Sequence, residues 1–378
     1  MLIRKPSAPK NGKAKCRVCG KTLRGIATCI GVCPDCARKR PDESRGRIEQ
    51  VHAESREMFG LPTRPAANPE GIECNLCTLR CKMGKSQKGY CGIRNGGRSS
   101  LRTDGRSRAL VSYYYDPLPT NCVADWVCPG GTGAGFPQFC NDSGPEVGFY
   151  NLAVFFEACN FNCLYCQNWC FRKNQLSPRW THLEKVEQAV NRNTSCICFF
   201  GGDPGPQLPF AFRLSKAVQK KNPDRILRIC WETNGAMDPV WLKKMTTISR
   251  DSGGCVKIDL KAWNPGTHRA LCGWDNAKVL DNFARAAEWA STRPCPPLLV
   301  ASTPLVPGYV DEDEIYGLAS FIARINPDIP YALLAFAPQF MMDDSPTTSA
   351  EQAQACLEAA KQAGLTRVRL GNEHLVGC

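Results

Sequence analysis

Histidine is scarce in this chain: four in 378 residues, and His52, His182, His268 and His374 form no spaced pair. They are read as surface or internally satisfied residues, not as ligands. No apolar run approaches the ~20 residues that span a bilayer, so an integral membrane protein is not expected. The N-terminal MLIRKPSAPKNGKAK has no apolar stretch after its charges, which argues against a signal peptide and for a cytoplasmic location. No G-x-G-x-x-G turn follows the first strand-like run. GGTGAG (130–135) lacks the Lys-Ser/Thr of a phosphate-binding loop and sits between cysteines.

Cysteine is what the chain has instead, 24 in all. In a short secreted chain that would read as a disulfide framework. In a long chain with no export signal, tight C-x2-C and C-x3-C groups read as metal ligands. Soft thiolates in such number favour zinc or iron–sulfur clusters over hard cations. Charge is uneven too. Residues 1–110 hold 24 Lys/Arg against 9 Asp/Glu, and the remainder holds 24 against 26. The basic excess either balances bound thiolates or faces an anionic partner surface.

The chain divides into a basic tail (1–13), a compact zinc-ribbon or rubredoxin-like module (14–40), a linker with a short helix at 49–60 (41–71), a loop-rich auxiliary-cluster region (72–148) and a barrel (149–378). Within the last, apolar runs at 151–157, 196–201, 226–233, 255–260, 298–306, 331–337 and 367–370 read as strands. Helical patterns fit between them at 181–192, 208–221, 238–249, 277–291, 311–325 and 348–363. Alternating units of this kind predict an α/β fold with a parallel sheet, a partial (β/α)6 TIM-type barrel. Chemistry is then expected at the C-terminal ends of the strands.

CRVC and CPDC, separated by thirteen residues, read as two knuckles around one tetrahedral ion, zinc or a rubredoxin-like iron, held by Cys16, Cys19, Cys33 and Cys36. Cys29 is left over. Cys74, Cys77, Cys81 and Cys91, spaced C-x2-C-x3-C-x9-C, make a closed four-ligand set for an auxiliary [4Fe-4S] cluster or a second zinc. Cys122, Cys128 and Cys140 form a three-thiol group. It is read as a second auxiliary cluster completed by Cys272, Cys170 or a non-protein ligand, or as unligated buried thiols. Cys196, Cys198, Cys230, Cys255 and Cys295 lie in or beside apolar strands and read as core residues. CNFNCLYC (159–166) follows the first barrel strand, and three thiolates there leave one position of a four-iron cluster open.

These segments, with FFGGDPGPQ (199–207), WETNG (231–235), KIDLK (257–261), LCG (271–273), VPG (306–308), FAP (336–338) and CNLC…GYCGIRN, resemble the radical SAM enzymes. The resemblance runs from about residue 72 to 371. It is to the group of pyruvate formate-lyase activating enzyme, nearest to the AmmeMemoRadiSam-type proteins. It implies a [4Fe-4S] cluster on Cys159, Cys163 and Cys166, with S-adenosylmethionine (SAM) on the free iron. Reductive cleavage of SAM to a 5′-deoxyadenosyl radical would abstract hydrogen from substrate, with electrons from a donor such as flavodoxin or ferredoxin. It also implies that Gly201, Gly202, Asp203 and Pro204 present backbone to the SAM amino group and that Tyr165 lies near the adenine. Glu232, Thr233 and Asp259 would hold a monovalent cation against the SAM carboxylate, and Lys261 would pair with that carboxylate. The family usually has Glu where Asp203 stands and Asp where Glu232 stands. Its activating enzyme has a basic residue where Ser302 stands, and a histidine has no counterpart in FAPQF.

Three readings of the substrate follow. The first is a small molecule, lipid chain or peptide modified with auxiliary-cluster help, which the extra cysteines favour. The second is a partner protein activated through a glycyl radical. The third, of another class, is nucleic acid bound or RNA modified through the basic ribbon arm. Against it, residues 1–110 lack the interleaved aromatic and basic residues that base stacking uses.

Overall fold

The computed structural model describes residues 13–97 and 107–377. The expected basic tail lies outside these residues except for Lys13, which begins a strand. An eight-stranded sheet forms the body, its strands adjacent in the order of the sequence. They are β1 (Val111–Pro117), β2 (Tyr150–Phe156), β3 (Thr194–Gly201), β4 (Arg228–Thr233), β5 (Val256–Asp259), β6 (Leu299–Leu305), β7 (Tyr331–Ala335) and β8 (Val368–Gly371). β1 is antiparallel to β2, and every other neighbouring pair is parallel.

Helices α1 (Pro34–Lys39) and α2 (Pro41–Glu57) precede the sheet. The others connect its strands: α3 (Leu183–Gln188), α4 (Leu208–Lys221), α5 (Pro239–Ser252), α6 (Pro265–Cys272), α7 (Ala277–Ala290), α8 (Glu312–Ile325) and α9 (Ala350–Gln362). The result is the expected partial barrel, six βα units closed by a final strand, with an antiparallel strand added at its other edge.

The first two parallel strands, β2 and β3, are largely apolar because both faces are covered, and they are buried along nearly their whole length. The helices begin where capping chemistry places them. Asp238 accepts from the Val240 amide ahead of α5, and Asp311 from the Glu314 amide ahead of α8. Acidic residues open α8 and Arg324 lies in its last turn, matching the helix dipole.

β1 was not expected. Its sequence, VSYYYDP, carries Tyr114 and Tyr115 exposed, as an antiparallel edge strand permits, so no apolar run marks it. The helix expected at 49–60 begins earlier, at Pro41 after Arg40, because Pro is preorganised for a first helical turn.

The segment between β1 and β2 enters the barrel instead of forming a separate lobe. Glu146 meets Arg228 on β4, Val127 packs with Val300 on β6, and Asp125 pairs with Arg369 on β8 at 2.7 Å. Register puts these strand residues on the inner face, so residues 118–148 act as a plug. The N-terminal module is likewise docked. Ile30, Val32 and Ala37 share the main core, Tyr309 Oη donates to the Val32 carbonyl at 2.8 Å, and Arg38 bridges to Asp311 and Glu314.

Candidate active site

The strand ends of the barrel surround a cavity of about 400 Å³, the size of a cofactor-scale ligand. Cys159, Cys163 and Cys166 line it, on the loop after β2. That loop is held by two buried asparagines inside the CNFNC motif. Asn160 donates to the Ala236 carbonyl at 3.0 Å and accepts from Asn234 at 2.8 Å. Asn162 donates to Ser55 Oγ at 2.7 Å, meets His52 Nδ1 at 3.0 Å and accepts from Arg172 at 3.3 Å. Helix α2 therefore buttresses the loop from behind. Burial lowers His52 to about 4, so it stays neutral as a hydrogen-bonding strut.

Of the residues assigned to SAM, Tyr165, Gly201, Gly202, Asp203, Glu232, Thr233, Asp259 and Lys261 all line this cavity; Pro204 does not, and is buried at the start of the following turn. The Gly202 amide donates to Phe156 O at 2.7 Å and the Asp203 amide to Ala158 O at 2.8 Å, tying the end of β3 to the cysteine loop. A Cβ on Gly202 would lie 2.4 Å from the Ala158 carbonyl oxygen, so only glycine allows this approach. Burial pushes Asp203 up to about 6, against the Asn234 and Gly205 amides and the Thr233 hydroxyl that bind it.

Asp259 accepts from both Lys261 and Ser302, each at 2.5 Å. Burial opposes the charge on Lys261, but Asp259, Cys163 and Cys272 outweigh it and hold the ammonium protonated. Glu232 pairs with Lys257 at 3.0 Å, while Thr233 bonds Asp203. The two acids and the threonine thus each have a protein partner. The Tyr165 hydroxyl is buried with no oxygen or nitrogen partner.

Three soft donors, a lysine, glycine backbone and an orphaned hydroxyl around one cavity fit an open iron–sulfur centre with SAM. As free thiols the three cysteines are raised. Burial, then Asp203, act on Cys159; contact with the Cys272 thiol, then burial, act on Cys163; burial dominates for Cys166. Loading a cluster releases those protons and so is favoured as pH rises.

Cys16, Cys19, Cys33 and Cys36 place their sulfurs within 4.8 Å of one another. A tetrahedral ion with ~2.3 Å metal–sulfur bonds sets its sulfurs about 3.8 Å apart, and Cys19 and Cys33 are 3.9 Å apart. Burial would raise Cys16, but the Cys19, Cys33 and Val18 amides outweigh it and bring the thiol down to about 6. The N-terminal module therefore has a zinc-ribbon-like metal site. Cys33→Ala is expected to reduce the metal held there from about one ion per chain to none. It should also loosen the docking of α1, read as lost elemental stoichiometry and faster amide exchange over residues 26–40.

Cys74, Cys77, Cys81 and Cys91 line one small pocket that also touches Asn160. Burial raises Cys77 and takes Cys91 to about 11. Cys122 and Cys128 pack against one apolar cluster, and Cys140 turns away from them. Cys122 reaches the main cavity, whereas the Cys140 thiol donates to the Gly133 carbonyl at 3.1 Å. Cys272 sits beside Cys163 and not beside that group, and Cys170 is exposed. Sequence reasoning missed Asn160, Asn162, Asn234 and Lys257. The two asparagines stand in plain view between the cysteines, but nothing local marks them as buried.

Residues 153–319 match the Radical SAM superfamily model. By this match and by the site just described the chain is a radical SAM enzyme. It is 22% identical over 310 residues to an uncharacterized protein of Methanocaldococcus jannaschii, covering 80% of this chain and 81% of that one. It is 26% identical over 157 residues to isethionate sulfite-lyase activating enzyme of Desulfovibrio desulfuricans, covering 41% of this chain and 46% of the relative. It thus spans under half of that enzyme. A solved domain of pyruvate-formate lyase-activating enzyme from Bacteroides vulgatus is 23% identical, covering 46% of this chain and 98% of that domain, with a TM-score of 0.37. No helix among the described residues is long and apolar enough to cross a membrane.

Proposed function

We propose that this radical SAM enzyme acts directly on a small molecule, lipid chain or peptide, assisted by an auxiliary [4Fe-4S] cluster on Cys74, Cys77, Cys81 and Cys91. The observation that carries the reading is the convergence of those four thiols on one small pocket adjoining Asn160, inside the loop of the open three-cysteine centre. A closed four-thiolate site beside an open three-thiolate one suits passage of single electrons, the open site being the one that binds a ligand.

The cluster on Cys159, Cys163 and Cys166 and its bound SAM would supply a 5′-deoxyadenosyl radical that removes a hydrogen atom from substrate. The chain supplies position. Lys261 offers the SAM carboxylate a fixed positive charge, the glycine turn at 201–202 brings backbone close, and Tyr165 offers an unpaired hydroxyl. The walls exclude water from the reacting carbon. The N-terminal site is read as zinc, because its four thiolates gather at single-ion spacing. A flavodoxin- or ferredoxin-type donor, an oxygen-sensitive cytoplasmic enzyme and the five-part division of the chain complete the reading. The likeness to AmmeMemoRadiSam-type proteins rests on the motif set alone.

The second reading is activation of a partner protein through a glycyl radical, favoured by the name of the Desulfovibrio relative. Deuterium transfer separates the two. Reduced enzyme and SAM are incubated with a uniformly deuterated cell extract, divided into small-molecule, lipid, peptide and protein fractions. Deuterium in 5′-deoxyadenosine from any of the first three is expected. Transfer from the protein fraction alone, with a persistent protein radical, would reject direct modification and leave the activase.

A further inference from the structure

Below the SAM cavity, thiols from three elements converge inside the barrel. Cys198 on β3 and Cys230 on β4 are Cα partners in parallel register, so they stand side by side, about 4.8 Å apart along the sheet. The amide of Cys255, next along the same row, donates to Cys230 Sγ at 3.5 Å. From the plug comes Cys122, whose sulfur lies 3.1 Å from Lys257 Nζ, while Cys198 Sγ lies 3.2 Å from the same nitrogen. Cys128 follows on the plug, packed with Cys122 against Val127 and Val300. All are free thiols.

Lys257 shows what charge this pocket is built for. Its side chain is 3% exposed, and its donors go to Glu232 and to two sulfurs. As a free thiol Cys122 donates to Glu232 at 3.4 Å, but a neutral thiol is a weak acceptor, so a buried ammonium directing two of its three donors at sulfur gains more when the sulfurs are anionic. Metal binding is what makes buried thiols anionic.

Spacing then selects the metal centre. Among the described residues only the N-terminal four gather within 4.8 Å, the arrangement for one ion. Thiolates of a cluster bind different irons and stand farther apart. Cys140, the third member of the group read from sequence spacing, is turned to the Gly133 and Ala134 carbonyls at 3.1 and 3.7 Å.

We propose that the barrel interior holds a further iron–sulfur cluster, ligated by Cys122 and Cys128 of the plug and Cys198 and Cys230 of the strands, with Lys257 balancing its charge. Cys122 also lines the SAM cavity, which would put a one-electron carrier against the floor of the active site. The site stands independently of the substrate reading above.

The test uses the full chain with Cys159, Cys163 and Cys166 all changed to alanine, reconstituted anaerobically with iron and sulfide. In that background C122A/C128A and C198A/C230A are each expected to lose roughly two to four irons per chain with matching sulfide. C140A is expected to lose none. Unchanged iron in both double variants overturns the proposal, as does an equal loss in C140A or zinc found in place of iron. If C198A/C230A fails to fold, C122A/C128A decides alone, since it alters only the plug. A failed deuterium-transfer result with intact three-cysteine chemistry leaves these iron counts unaffected.

Discussion

Replacing Cys159, Cys163 and Cys166 together by alanine is expected to reduce 5′-deoxyadenosine formation to the enzyme-free background and to remove about four irons per chain. The three thiols occupy one loop, and that loop is held by Asn160 and Asn162, not by the thiols. Its backbone should therefore survive the substitution. Far-ultraviolet circular dichroism, and the metal on Cys16, Cys19, Cys33 and Cys36, should be unchanged. SAM cleavage persisting in the triple variant would show that the electron reaches SAM from another centre, and the assignment of this loop would be wrong.

The second large effect lies at the bottom of the barrel. Arg228 and Glu146 are both buried and joined by two parallel bonds, one at 2.9 Å. Ser195 and the Asn141 amide complete the carboxylate, at 2.6 and 2.7 Å. Arg228→Met leaves Glu146 buried without its cation, and breaking a pair in this way costs about 3–5 kcal/mol. Denaturant unfolding at pH 7 should show it. Adding Glu146→Gln should recover much of the loss, because the stranded charge is gone.

The pH dependence carries a sign. Burial alone would raise Glu146, but the Arg228 bonds and charge, with Ser195 and Asn141, hold it down to about 2 against an ordinary 4.5. A depressed carboxyl stabilises fully above pH 4.5, and that stability is lost as pH falls toward 2. In Arg228→Met only Ser195 and Asn141 still oppose the burial effect, so the carboxyl protonates at higher pH and the deficit should be smaller at pH 5 than at pH 8. A deficit independent of pH would mean that packing, not charge, was lost. Because the pair anchors the plug, Cys122 and Cys128 should also alkylate faster in the variant.

The strand pattern was readable because both faces of a parallel sheet are covered, which leaves apolar runs that composition alone reveals. β1 escaped the same reading, since an edge strand with exposed tyrosines needs no such run. Helix starts were readable where Asp, Ser or Pro sits at a cap. The short helix before the barrel was placed late because the polar turns after Pro41 carry no apolar run, although Pro41 itself marks the start.

What the sequence by itself determined are the features set by chain spacing. The knuckles at Cys16–Cys36 and the loop at Cys159–Cys166 hold ligands a few residues apart, and a loop that short can bring them together wherever it sits. Only the tertiary structure decided which distant thiols meet. Cys122 and Lys257 are 135 residues apart, and they touch because the plug enters the barrel and because the register of β3, β4 and β5 turns Cys198, Cys230 and Lys257 inward. A shift of one residue in any of those strands would turn its side chain to the opposite face. No spacing along the chain records that choice, which explains why Cys140 belonged to the group in sequence and lies apart from it in space.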